Sequence, residues 1–244
     1  MDAGNQIAGG RRVGVDTGCL SPENCFALDL KRGSFKVTEM SLVKSFTSVL
    51  AKATTERAVC SWLKRNPLVI SHGLGGFPGK VVAEFPFGSD FRADFVRLTG
   101  FSGGFDIDFV ELEPPNAALF TKSGAAAKRL NGALAQINSW RSYIETGRQS
   151  VLRELSKFTQ NRELIWKRQD HEPIDNVGWH LYNPKASLNW QYHIIIGRRK
   201  RLSEEELFKK ATFLRDYTIN VMTYDRLLET AKMLDDYESA RPKF

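Results

Sequence analysis

Three carboxylates stand where two neighbouring extended segments end: Asp94 in FRADFVRL (91–98), and Glu111 and Glu113 in FDIDFVELEPP (105–115). Alternation in the second segment puts Phe105, Ile107 and Phe109 on one pleat face with Glu111 and Glu113, and Asp106 and Asp108 on the other. The residues between, TGFSGG (99–104), have the Gly/Ser content of a hairpin loop. Leu98 then lies opposite Phe105 and Asp94 opposite Phe109, which leaves Asp94 diagonal to Glu111 with Cβ atoms roughly 7 Å apart. Carboxylates crowded on a mostly buried face repel one another and are costly to desolvate, and a hard divalent cation removes both penalties. Mg2+ takes oxygen ligands, keeps several waters, and is commonly held by one or two carboxylates with a substrate phosphate. The same spacing also suits two glutamates that simply face solvent at a strand end.

Other elements must hold this hairpin in place. From Ser41 to Asn66 the apolar residues Leu42, Phe46, Val49 and Leu50, then Ala58, Val59, Trp62 and Leu63, recur at helical spacing, and Pro67 ends the second helix. Glu56 falls in the first turn of that helix, where a negative side chain suits the dipole. PLVISHGLGG (67–76) reads as an apolar run and a glycine-rich turn, and VVAEFPFG (81–88) as a strand in which Pro86 marks an edge or a bend. After Glu113, Pro114 and Pro115 stop the strand. A helix is expected from near Ser123, with Leu130, Ala133, Leu134, Ile137 and Ile144 as its core stripe, Gln136 at the margin, and Trp140 and Arg141 next on that face. LRELSKF (152–158) and LIWKRQ (164–169) also suggest helix, and QYHIIIG (191–197) a buried strand. The strand runs into Arg198, Arg199, Lys200 and Arg201, a basic run placed to contact phosphates. Ser203 with Glu206 forms a capping box for a helix at 204–216, and a strand at 218–224 followed by a helix at 225–237 completes a β-α-β-α tail suited to parallel strands.

At 244 residues with 42% apolar content, the chain can bury a sizeable core as one domain or one domain with an appendage. The net charge of +7 suits a polyanion partner. Cys19, Cys25 and Cys60 form no CxxC pair and are odd in number, which supports neither a disulfide framework nor a zinc site. With no apolar run of membrane-spanning length and no signal-peptide pattern, a cytoplasmic protein with no membrane partner is expected.

An acid-bearing strand, a hairpin, an acid-x-acid strand and then a helix resemble the PD-(D/E)XK nuclease core. More narrowly, EFPFGSDFRADFV (84–96), VELEPPNAALFTKSG (110–124), ALAQINSWRSYI (133–144), IIIGRR (194–199) and NVMTYDRLL (220–228) resemble, in that order, the Shedu family of anti-phage nucleases. Glu113 differs from many members, which have Lys there. The resemblance implies an α/β, restriction-endonuclease-like fold with a mixed central sheet flanked by helices. It assigns residues 41–244 to the nuclease-like domain and 1–40 to an N-terminal extension or the remnant of a preceding domain. It further implies a Mg2+-dependent (or Mn2+-dependent) endonuclease that cuts DNA in anti-phage defence and assembles as a homo-oligomer. By the same resemblance Asp94, Glu111 and the Leu112 carbonyl hold the cation, with Glu113 as a third ligand or as the group that orients the attacking water. Lys122, in F-T-K-S-G, supplies the cation missing at 113 or, with Gln136, positions the phosphate, and Glu56 reaches the metal from its helix. Arg141 and the run 198–201 contact nucleic acid. The alternative is a catalytically inactive nucleic-acid-binding or assembly module of a defence system.

Overall fold

A computed structural model describes residues 41–160, 165–166, 173–175 and 177–240. The expectations for residues 1–40 and for most of LIWKRQ lie outside them. Helix α1 (Leu42–Lys52) opens on Ser41, whose Oγ accepts from the Lys44 N–H, while the Leu42 and Val43 amides donate to Asp235 at 2.9 Å each. Asp235 belongs to helix α6 (Tyr224–Ala240), so the two helices are stitched at that end. Helix α2 (Glu56–Arg65) buries Val59, Cys60, Trp62 and Leu63, and its Trp62 ring stacks on Phe46 with centroids 4.3 Å apart. Pro67 both ends α2 and opens a short helix α3 (Pro67–Gly73), where its missing N–H is no loss at the first helical position.

Strands β1 (Lys80–Phe87), β2 (Phe91–Phe101) and β3 (Gly104–Leu112) form an antiparallel meander. Strand β5 (Ser187–Ile195) pairs parallel to β3, and β6 (Ile219–Met222) parallel to β5. The two residues of β4 (Ile165–Trp166) pair with Val82 and Val81 on the outer side of β1, giving the order β4-β1-β2-β3-β5-β6. This mixed open sheet, flanked by helices, is the restriction-endonuclease-like α/β arrangement. Helix α4 (Lys128–Phe158) covers one face, packing Leu130, Ala133, Ile137, Trp140 and Ile144 on Val96, Leu98, Ile107 and Phe109. Trp140 is fully buried and is a core residue. The helix bends at Gly147 (φ −107°, ψ 16°). Helix α5 (Glu204–Tyr217) carries both arms of the Ser203/Glu206 capping box, at 3.2 and 2.8 Å. Among the described residues no helix is long and apolar enough to cross a membrane.

Several local expectations are corrected. The hairpin loop is only Ser102 and Gly103: Thr99, Gly100 and Phe101 stay in the ladder, and Gly103 takes the turn with φ +87°. Leu98 therefore faces Ile107 rather than Phe105, a shift of two that keeps the paired β3 side chains on their expected faces. The segment 67–73 is helical rather than an irregular run. The long helix starts at Lys128 rather than near Ser123, because the Phe120–Ala126 bridge and Gly124 (φ +78°) make residues 120–126 a tight loop. Ile165 and Trp166, expected to be helical, add to the sheet.

Candidate active site

The meander loosens at one point. Pairs on either side of it, Ala83 with Phe95 and Phe85 with Ala93, keep one register, yet Glu84 and Asp94 themselves drop out of the ladder. Glu84 has φ +51°, a strained conformation for a residue with a Cβ. Val82 and Phe85 reach the same core, as do Ala93 and Val96, so both strands turn over here instead of alternating. The β2–β3 ladder stops at Phe95–Val110, so Asp94 lies beyond the last pair; that register, continued one step, would set it opposite Glu111 and not diagonal to it as expected. Released from the ladder, Asp94 turns its carboxylate to β3, where Oδ2 accepts the Leu112 N–H at 2.8 Å.

Glu111 is received from α4, the Gln136 amide donating to its Oε2 at 2.9 Å. Burial, then the charges of Asp94 and Glu113, push the Glu111 carboxyl up to about 9. Burial also lifts Asp94 to about 6 against the Leu112 hydrogen bond, with Glu56 and Glu84 adding to the rise and Arg92 opposing it. Glu113 is raised by burial and opposed by Arg129, whose Nη1 lies 3.6 Å from its Oε2. Its own carbonyl accepts the buried Tyr224 hydroxyl at 2.8 Å, which fixes the chain just past β3. Glu56, half-buried at the start of α2, bears on Asp94, Glu111 and Glu113 together. One face of α2, Glu56, Cys60 and Lys64 at i, i+4 and i+8, thus runs over the acids, and Lys64 pairs with Glu84 at 2.7 Å. Among the described residues no three Asp, Glu, His or Cys side chains converge at metal-holding distance. Two neighbouring half-buried carboxyls, each pushed toward its neutral form, nevertheless fit a hard cation that completes its shell with water.

The basic residues singled out from the sequence are placed elsewhere. Lys122 is exposed in the 120–126 loop and contacts none of the acids, because that loop packs on Lys209 of α5. Arg198 donates to Asp225 at 2.9 and 3.1 Å, and Arg199 to Glu229 at 2.8 Å, both acids on α6. Arg201 donates to the Asn116 carbonyl at 2.6 Å. Arg141 donates to Thr218 at 2.8 and 3.0 Å and covers the Tyr192 ring at 4.7 Å. Of the run 198–201, Lys200 alone has an exposed side chain with no hydrogen bond or ion pair among the described residues.

Three site-lining residues were not anticipated: Glu84, Lys64 and Arg129. The i, i+4, i+8 spacing of Glu56, Cys60 and Lys64 was a usable signal, whereas nothing local marks Glu84 for positive φ. The opposite face of β3 carries a second unforeseen group. Asp108, fully buried, accepts from Arg97 Nε at 2.8 Å and stands 2.7 Å from His193 Nε2, while Arg97 Nη1 donates to the Ser71 and Gly75 carbonyls.

No curated protein matches the chain. Residues 53–228, more than half of its length, match the family described as "Shedu protein SduA, C-terminal". That span begins before Glu56 and includes the loosened meander, the acids and Gln136, and on it the chain belongs to the Shedu family.

Proposed function

We propose that this domain is a Mg2+- or Mn2+-dependent nuclease that hydrolyses DNA phosphodiester bonds in the anti-phage defence to which its family points. The observation that supports the reading is that Asp94 and Glu111 both lie where the ladder ends, near enough for the Asp94 charge to act on Glu111, one held by the Leu112 amide and the other by Gln136. Asp94 and Glu111 would hold the cation with Leu112, and Glu113 and Glu56, whose charges act on Glu111, would bind its waters. The chemistry supplied with a divalent cation in place is neutralisation of charge on the phosphoryl oxygens and activation of a water. Glu113 orients the attacking water and takes its proton as the new P–O bond forms, one ester P–O bond breaks, and solvent protonates the departing oxygen. Gln136 fixes the orientation of Glu111 from behind.

The test is cleavage of plasmid and linear duplex with Mg2+ or Mn2+, wild type against Glu111→Ala. Identical behaviour of the two proteins defeats the assignment. A second reading has its own support in Glu113, which stands where many members have lysine: a nucleic-acid-binding or assembly module that does not cut. It predicts Mn2+ binding lost in Asp94→Asn and salt-sensitive DNA binding, with no hydrolysis by wild type.

A further inference from the structure

On the nuclease reading, the site needs a cation near the scissile phosphate that Glu113 cannot provide. The cations nearby differ in how they are occupied. Lys64 is bound to Glu84 at 2.7 Å, Lys122 sits on the α5 side, and the exposed Arg92 bears on Asp94 and Glu84 from β2 but pairs with neither Glu111 nor Glu113 among the described residues. Arg129 lies beside Glu113, but at 3.6 Å the pair is longer than a hydrogen bond, and the arginine side chain is 62% exposed. It makes no other ion pair or hydrogen bond among the described residues. Its position is also unexplained by the helix that carries it: Lys128 and Arg129 open α4, the first turn has no acid, and cations there oppose the helix dipole. A helix of 31 residues thus begins with two charges that its own backbone disfavours, one of them at the mouth of the acid cluster.

We infer that Arg129 is the phosphate-binding cation of this site, and that with Glu113 it divides the work of the missing motif lysine. Arginine stays protonated and offers a planar fork of N–H donors, so it grips a phosphate but accepts no proton. Proton transfer from water therefore falls to Glu113. The two roles sit on separate elements, the end of β3 and the first turn of α4, and are separable by mutation.

The test compares wild type with Arg129→Ala, Arg129→Lys and, as a control of equal charge change far along the same helix, Arg153→Ala. Binding of a short DNA duplex is followed by fluorescence anisotropy over a salt series with Ca2+ replacing Mg2+, and cleavage is measured separately with Mg2+. Arg129→Ala is expected to lower the salt slope by about 1 and weaken binding about 5- to 10-fold. It should cut kcat by about 100-fold, with Arg129→Lys recovering binding more than kcat and Arg153→Ala unchanged. Wild-type binding and cleavage in Arg129→Ala overturn the inference, as does an equal loss in Arg153→Ala. If wild type binds but never cuts, and Arg129→Ala still loses binding, the phosphate role stands and the nuclease reading falls.

Discussion

Asp108→Asn separates the stability of this fold from its chemistry. Asp108 is fully buried between Arg97 Nε at 2.8 Å and His193 Nε2 at 2.7 Å, and Arg97 itself is 3% exposed. An asparagine keeps the shape but removes the charge, leaving the Arg97 guanidinium with only the Ser71 and Gly75 carbonyls. Stranding one member of a buried ion pair costs about 3–5 kcal/mol. For a domain of this size that lowers Tm by roughly 6–20 °C, at about 2–4 °C per kcal/mol. The effect is also pH-dependent. Burial alone would raise the Asp108 carboxyl, but the His193 hydrogen bond and the Arg97 charge outweigh it and hold it below the usual range. A depressed folded pKa contributes stability that is fully present above the unfolded value, about 3.9, and is lost as pH falls through the folded one. The gap between wild type and variant should be widest near neutrality and close as pH drops below about 4. Replacing both partners, Arg97→Met with Asp108→Leu, should cost less than Asp108→Asn alone. Urea denaturation and calorimetry at several pH values measure all three quantities. A variant within about 1 kcal/mol of wild type at pH 7, or a gap that stays constant into acid, refutes the reasoning.

Other perturbations probe the site and its surroundings. Gln136→Ala, at a half-buried position, should leave the fold intact and weaken Mn2+ binding by about 10-fold or more in titration calorimetry, since it frees Glu111 to rotate. Lys200→Ala should reduce duplex affinity more than Arg198→Ala, while Arg198→Ala costs about 1 kcal/mol in urea because it unpairs Asp225; the reverse ranking would restore the basic run as a phosphate contact. Glu84→Gly should stay within about 1 kcal/mol of wild type, because relief of the positive φ offsets the added chain entropy and the loss of the exposed Lys64 pair. A loss above 2 kcal/mol there, read by the same denaturation, would mean that the backbone is not strained.

The fold was legible wherever period and punctuation agreed. FDIDFVELE alternates, Pro114 and Pro115 stop it, and Ser203 with Glu206 starts a helix, because each is a local rule acting on adjacent residues. The hairpin register was not, since the glycines of TGFSGG suggest a long loop while only Ser102 and Gly103 turn. Parity survived because the shift was even, so the acids of β3 kept their neighbours along the strand. The surroundings of the basic run were not legible either: the partners of Arg198 and Arg199, Asp225 and Glu229, lie on a later helix, at separations of 27 and 30 residues, beyond any local pattern. Arg129 escaped notice because a Lys-Arg pair opening a helix has no sequence motif, only a dipole conflict that shows once the helix start is fixed.

Strand β3 places carboxylates on both of its faces, Asp108 fully buried and Glu111 half-buried, and gives them opposite fates. Asp108 meets an arginine and a histidine, and its charged form is favoured; it behaves as a structural ion-pair member. Glu111 meets a neutral amide and two further carboxylates, and its charged form is disfavoured up to about 9. A fold that needed only stability would gain nothing from the second arrangement, because any neutral isostere at 111 would relieve the repulsion. Perturbed groups of this kind also arise in structural networks, but there the perturbing charges are partners, as at Asp108, and not rivals. Repulsion left standing on one face of a strand whose other face pairs its acid with two partners supports the proposal that the site takes a cation from outside the chain. A protein in which Glu111→Gln neither stabilises the metal-free fold at neutral pH nor abolishes Mn2+ binding would break that chain of reasoning at its first link.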